Sequence, residues 1–247
     1  MGSCRSRSAV VSSRPNLTEP TSLETLQTFY SLSQTQICRK LRPWYEKALA
    51  KQEPQVCELN LQFAQLDSSQ LPYLVCILKF FTQVTTLKLW KANIGAEGMK
   101  QLALGMKELR GLERVGVEGN HLKDEGIRVL SQTIKEFTRL QELFVQDNEF
   151  GDIGAGALSQ SLESKPLTLL NICENSISAT GLEHLLRVCP SLDVLELAHN
   201  CVGPAGGQLL LQLWPSRLRR LTVTNNAIGD EWEQALLRQC STTQVLI

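Results

Sequence analysis

The sequence predicts an α/β solenoid: a curved horseshoe arc with parallel strands on the concave face and helices on the convex face. The first reason is a repeat. An apolar residue followed three and five positions later by two more recurs seven times, starting at Val56, Val84, Leu112, Leu140, Leu167, Leu192 and Leu218. Successive starts lie 25 to 28 residues apart, a period that marks units unable to bury their apolar faces alone and obliged to stack. The second reason is an asparagine three residues after the triplet, at Asn120, Asn148, Asn175, Asn200 and Asn226. The third is a glycine six residues further on, at Gly126, Gly154, Gly181 and Gly206, which opens a helical pattern.

Taken in chain order, residues 1–20 read as a basic leader. Gly2 follows the initiator Met and Ser6 stands four residues later, which fits the N-myristoylation pattern, with Cys4 beside it as a candidate palmitoylation site. One myristoyl chain binds bilayers only at roughly 10⁴ M⁻¹, so stable anchoring requires a second signal. Cys4 would supply another acyl chain, and Arg5, Arg7 and Arg14 attraction to an anionic leaflet. The competing reading is a Ser/Arg-rich leader without lipid, or a start inherited from gene modelling. Residues 21–55 read as a helical cap. Pro20-Thr21-Ser22 precede Leu23, Leu26, Phe29 and Tyr30, and a second apolar stretch of Ile37, Leu41, Trp44, Tyr45 and Leu49 is expected to break at Pro43. Its basic run of Arg39, Lys40, Arg42, Lys47 and Lys51 fits a solvated face or one turned to a membrane.

Residues 56–247 hold the seven units and a partial closing strand. Two apolar residues two apart, as at Leu143 and Val145, send both side chains to one face of a short strand. The asparagine is expected to bond neighbouring backbone where the chain leaves the strand. Helical stripes follow at Met99, Leu102, Met106 and Leu109, and at Ile127, Leu130, Ile134 and Phe137. The first two units carry Ala64 and Ala92 in place of asparagine, and the seventh carries Trp232 in place of glycine. Val245 and Ile247 would begin an eighth strand, although the Val-Leu-Ile ending also matches a class of PDZ ligand.

This unit, a strand plus a long helix, resembles the ribonuclease-inhibitor type of leucine-rich repeat from residue 56 to roughly 240. That resemblance implies an interaction protein. Its members include inhibitors, sensing domains of nucleotide-binding immune receptors, ciliary and scaffold proteins, and the Ran GTPase-activating protein, and fold alone does not select among them. The last of these carries a strongly acidic segment after its repeats, whereas this chain stops at Ile247 without one.

Composition narrows the classes. No stretch approaches the roughly 18 to 20 apolar residues of a spanning helix, and no secretory signal follows the N-terminus. These features predict a cytoplasmic protein, held at the cytoplasmic face of a membrane if the leader is acylated. The eight cysteines then read as reduced, with no CxxC pair and no His at ligand spacing, and the Asn16 sequon carries little meaning. Net charge is zero, but residues 1–51 hold eight Arg and Lys against Glu19, Glu24 and Glu46. No repeat presents a long basic stripe, which argues against a nucleic-acid partner. Phosphate loops, GxSxG and HExxH are absent, and His121, His184 and His199 read as solvated or structural. The sequence therefore offers no catalytic, cofactor-binding or metal site and no small-molecule substrate.

What it offers is a surface. Residues between and just beyond each apolar pair are predicted to face the inside of the arc, and the candidate partner-binding set is Lys88, Trp90, Arg114, Glu118, Glu142, Phe144, Leu169, Val194 and Glu196. Aromatics beside arginine and a polar rim are what interface hot spots are made of, and Gly116 is expected to leave room for an inserted side chain. The alternatives are that Trp90 and Phe144 fold over their neighbours' stems, or that the leader lies back into the arc. The predicted function is a non-catalytic protein-interaction scaffold, with a regulator of a GTPase or other enzyme as the alternative.

Overall fold

The computed structural model describes residues 26–28, 30–31, 37–50, 57–239 and 243–247. The labelled elements are helix α1 (Arg42–Leu49), strand β1 (Glu58–Asn60), α2 (Leu71–Leu78), β2 (Thr86–Lys88), α3 (Gly95–Met106), β3 (Arg114–Gly116), α4 (Lys123–Ile134) and β4 (Glu142–Phe144). They continue with α5 (Asp152–Leu162), β5 (Leu169–Asn171), α6 (Ala179–Val188), β6 (Val194–Glu196), α7 (Gly203–Gln212), β7 (Arg220–Thr222), α8 (Asp230–Gln239) and β8 (Gln244–Leu246). Residues 26–28 and 30–31 are also helical. Gly2, Cys4, Pro20, Phe29, Lys51, Val56 and Cys240 lie outside the described residues.

The eight strands form one parallel sheet in the order β1 to β8. Leu59, Leu87, Val115, Leu143, Leu170, Leu195, Leu221 and Val245 stand in register across it. A one-residue slip would turn this row to the opposite face, so burial fixes the register. Behind the sheet, each helix of α2 to α8 packs on the next. The core between strands and helices is aliphatic: Leu140, Leu143 and Val145 of one unit are fully buried with Leu158 and Leu162 of the next helix. Leu109 and Phe137 are buried as expected but lie beyond the ends of α3 and α4, in the turns that lead to the next strand. The apolar stripe continues past the helix because the turn also covers the core.

Each asparagine makes more bonds than a local turn needs. Asn148 Nδ2 donates to the carbonyls of Val117, Val145 and Gln146, and its Oδ1 accepts from the N–H groups of Asn120 and Leu122. Three of these five partners belong to the preceding unit. Asn120, Asn175, Asn200 and Asn226 repeat the arrangement, joining successive turns where the chain leaves the strand. The bend is sharp: Asp147 and Glu149, on either side of Asn148, have φ of 55° and 60°. At Ala92 the preceding unit's Leu66 N–H, which an asparagine side chain would accept from, is taken by the Ala92 carbonyl instead.

A second ladder runs through the helix starts. Asp124 Oδ1 accepts from the N–H groups of Gly151 and Gly154, and Asp152 Oδ1 from those of Ser178 and Gly181, so each aspartate caps the next unit's helix. The glycine column makes room for this approach. A Cβ on Gly181 would stand 2.5 Å from Asp152 Oδ1. In the last unit Trp232 replaces that glycine, and the space comes from Gly207 of α7, where a Cβ would stand 2.7 Å from Trp232 Cβ.

Ahead of the sheet, Leu26, Ile37, Leu41 and Tyr45 are buried in the same core. Tyr45 donates to the Tyr73 carbonyl at 2.7 Å and stacks on Tyr30 with ring centroids 5.3 Å apart. Pro43 does not interrupt this segment. It occupies the first turn of α1, where a missing N–H removes no helical bond and a fixed φ favours the start.

Candidate functional site

The strand face presents three columns of side chains. The first runs Glu58, Thr86, Arg114, Glu142, Leu169, Val194, Arg220; the second Asn60, Lys88, Gly116, Phe144, Asn171, Glu196, Thr222; the third, just past the strands, Gln62, Trp90, Glu118, Gln146, Cys173, Ala198, Thr224. Neighbours in a column are about 4.8 Å apart, the strand spacing. All nine predicted partner residues lie in these columns. The first-column and second-column members alternate with buried residues, as the patterns of β2, β4 and β6 show.

Most of the charge in these columns is matched from within. Lys88 Nζ lies 2.9 Å from the Glu58 carboxylate, Arg114 Nη2 2.6 Å from that of Glu142, and Arg220 Nη2 2.8 Å from that of Glu196. Asn171 Nδ2 also donates to Glu196 at 2.9 Å. Lys88, Arg114, Glu142 and Glu196 therefore act first on one another, across adjacent strands.

Of the four carboxylates in the columns, Glu118 alone has no cation at ion-pair distance among the described residues. Its carboxylate folds over Gly116, with Oε2 2.7 Å from where a Cβ would sit. The space expected beside Gly116 is thus taken by Glu118 itself. Burial raises the Glu118 pKa above the ordinary carboxylate value, a shift opposed by its own backbone N–H and by Lys88. On the next strand Gln146 Oε1 is buried with no hydrogen-bond donor. The Glu118 carboxylate and the Gln146 amide oxygen thus stand next to each other in one column, and that of Gln146 lacks a donor.

Aromatic surface flanks this notch. Trp90 is 38% exposed and its ring centroid lies 4.8 Å from that of Phe63, which is 50% exposed. Phe144, Leu169 and Val194 are half-buried. Phe63 escaped the sequence reading, although the signal was present: the other units place Lys91, Gly119, Asp147, Glu174, His199 and Asn225 at its position. An aromatic in a column otherwise polar or glycine is anomalous. Trp90 does rest on a neighbour, as the alternative reading held, yet both rings stay open to solvent and form one patch.

Two of the thiols are buried and two of the histidines are engaged at the turns. Burial pushes the Cys173 thiol up to about 11 and that of Cys189 up to about 12, so neither offers appreciable thiolate near neutral pH. His121 Nδ1 lies 2.5 Å from Glu149 Oε1, and His199 Nε2 3.1 Å from Asn225 Nδ2, both at the turn. Among the described residues, no three His, Cys, Asp or Glu side chains converge as metal ligands, and no helix is long and apolar enough to cross a membrane.

A family model described as "Leucine Rich repeat" matches residues 188–211, which span the last residue of α6, all of β6 and all but the last residue of α7. Together with eight parallel strands in sequence order, joined by asparagine-bonded turns and backed by helices, this decides the architecture. The chain is a leucine-rich repeat solenoid. It is similar to the solved Leiomodin-1 Actin-Binding Site 2, at a TM-score of 0.47 and 12% identity over 68% of this chain and 94% of that one. It is similar also to an internalin from Listeria monocytogenes, at 0.41 and 20% over 69% of this chain and 56% of that one. A further likeness is to the ectodomain of the plant receptor kinase GASSHO1/SCHENGEN3 from Arabidopsis thaliana, at 0.36 and 18% over 61% of this leucine-rich repeat chain and 16% of the receptor chain. No curated protein matches the sequence.

Proposed function

We propose that this leucine-rich repeat protein is a non-catalytic scaffold that seats a protein partner on its concave face, centred on Phe63, Trp90, Glu118 and Phe144. One observation carries the reading: open aromatic surface lies beside the column carboxylate that has no cation at ion-pair distance among the described residues. Buried aromatic anchors give most interfaces the largest share of their affinity, and the buried Gln146 Oε1, which has no donor, selects a partner that brings one. The partner is therefore expected to insert a lysine or arginine between the rings, toward Glu118 and Gln146. Leu169 and Val194 extend the apolar floor toward Glu196.

The finer assignment is to the ribonuclease-inhibitor-like subfamily, supported by unit length and by a full helix in each unit from α3 to α7. A cytoplasmic site of action and membrane tethering through acylated Gly2 and Cys4 have the sequence pattern as their support. Metabolic labelling with a myristate analogue tests the tether: incorporation into wild type and its loss in Gly2→Ala are expected, and no incorporation rejects it. A regulator that occludes a GTPase or other enzyme would use the same face. For the face itself, Trp90→Ala with Phe144→Ala should weaken partner capture by about 2 kcal/mol or more, while Arg217→Ala, which is off the strand face and pairs with Asp193, should leave it unchanged. Unchanged capture by a stably folded double variant moves the site off the concave face.

A further inference from the structure

The strongest charged feature outside the strand face lies at the N-terminal end of the stack. Arg39, Lys40, Arg42 and Lys47 are all exposed on α1 and the turn before it. None of the four makes an ion pair among the described residues. Arg42 spends one N–H, Nε, on the Ile37 carbonyl at 3.2 Å. The single acid of the segment, Glu46, already accepts from the Tyr30 hydroxyl at 3.3 Å. The depression they border, about 550 Å³, is lined by Arg39, Lys40, Pro43, Trp44, Lys47 and Asn60. Its lining holds three cationic side chains, Arg39, Lys40 and Lys47, and no carboxylate.

The aromatic in this depression decides what kind of anion fits. Trp44 meets the edge of Phe81 at 5.7 Å with planes 89° apart, and Lys47 Nζ lies 4.4 Å from its ring centroid. Its indole is thus already in contact with Phe81 and with the Lys47 ammonium. A nucleic acid would need several aromatic faces for stacking or a long basic track, and here one indole stands beside cations confined to a short helix and the turn before it. A planar array of phosphorylated headgroups needs only clustered, unpaired cations held at one end of a rigid body.

We infer that the Arg39, Lys40, Arg42 and Lys47 face is a contact site for an anionic bilayer leaflet. It docks the N-terminal end of the solenoid on the membrane, at the edge of the sheet marked by Asn60. The site is independent of acylation at Gly2 and of any partner on the concave face. Each basic residue near an anionic surface strengthens binding about fivefold, and salt screens the attraction within a Debye length of about 8 Å.

The test uses the full chain carrying Gly2→Ala, so that no lipid contributes, in sedimentation with vesicles of phosphatidylcholine alone or with 30% phosphatidylserine. Binding to the anionic vesicles should exceed binding to neutral ones by about tenfold or more and collapse in high salt. Arg39→Glu with Lys40→Glu should lower it by about tenfold or more without changing the melting temperature, since both side chains are exposed and make no ion pair among the described residues. Equal binding to both vesicle types, retention by the charge-reversed variant, or tighter binding to single-stranded DNA than to anionic vesicles overturns the inference. Failure here leaves the acylation reading standing, because that reading is measured by myristate incorporation.

Discussion

Replacing Asn148 by alanine should destabilise the solenoid by about 2 to 6 kcal/mol, and the origin of that cost can be followed bond by bond. The three carbonyls that lose its Nδ2 each keep another donor: Asn120 Nδ2 for Val117, Asn175 Nδ2 for Val145, and Gly119 N–H for Gln146. The N–H groups of Asn120 and Leu122, in contrast, have Asn148 Oδ1 as their acceptor. Asn148 and Leu122 are fully buried, so water does not replace it. Two orphaned donors at about 1 to 3 kcal/mol each set the estimate. Asn226 gives the internal comparison, because its Oδ1 accepts from one N–H, that of Val202, at 3.4 Å. Asn226→Ala should cost only about 1 to 2 kcal/mol. Urea unfolding followed by far-ultraviolet circular dichroism reads both as shifts in midpoint at unchanged m. A cost below about 1 kcal/mol for Asn148→Ala, or equal costs at the two sites, would refute the idea that the asparagines tie one unit to the next.

Leu143→Ala, at a fully buried site with units on both sides, should cost about 2 to 5 kcal/mol in the same assay. Gly181→Ala would push a Cβ into Asp152 Oδ1 and should cost about 1 to 3 kcal/mol. Gly156→Ala, whose Cβ would meet nothing closer than His184 Cδ2 at 3.8 Å, should be neutral or gain up to about 1 kcal/mol. Glu118 gives a pH dependence. Its folded pKa lies above the ordinary 4.5, so the folded state binds its proton more tightly, and stability falls as pH rises from 4.5 through the folded value. Glu118→Gln should therefore raise the melting temperature near pH 7.5 and have no such effect below about pH 4. A gain of equal size at both pH values would contradict that origin.

The repeat was legible because its causes are local. Apolar residues at fixed offsets dictate a strand, and a glycine where a helix must approach its neighbour dictates the next element, so the columns of the sheet could be written from Leu59 to Leu221 without coordinates. What escaped depends on the third dimension. Asn148 was read as bonding its own turn, but stacking brings the Leu122 and Asn120 N–H groups of the previous unit within reach. Gly116 looked like a vacancy because its own strand says nothing of where Glu118, two residues on, will fold. Lys88 and Arg114 looked available to a partner. Their diagonal and lateral neighbours Glu58 and Glu142 occupy them, a pairing visible only once the register is fixed. Pro43 was misjudged for a simpler reason, since one residue separates a helix-breaking proline from a helix-starting one.

The concave face as the partner surface is tested most directly by hydroxyl-radical footprinting of the full chain, free and bound to a partner captured from its own cells. Trp90, Phe63 and Phe144 should lose side-chain oxidation in the complex, while Leu104 and Ile153, exposed on α3 and α5, should react as before. Protection of Leu104 and Ile153 with undiminished oxidation of Trp90, Phe63 and Phe144 would place the partner on the helices and contradict the account.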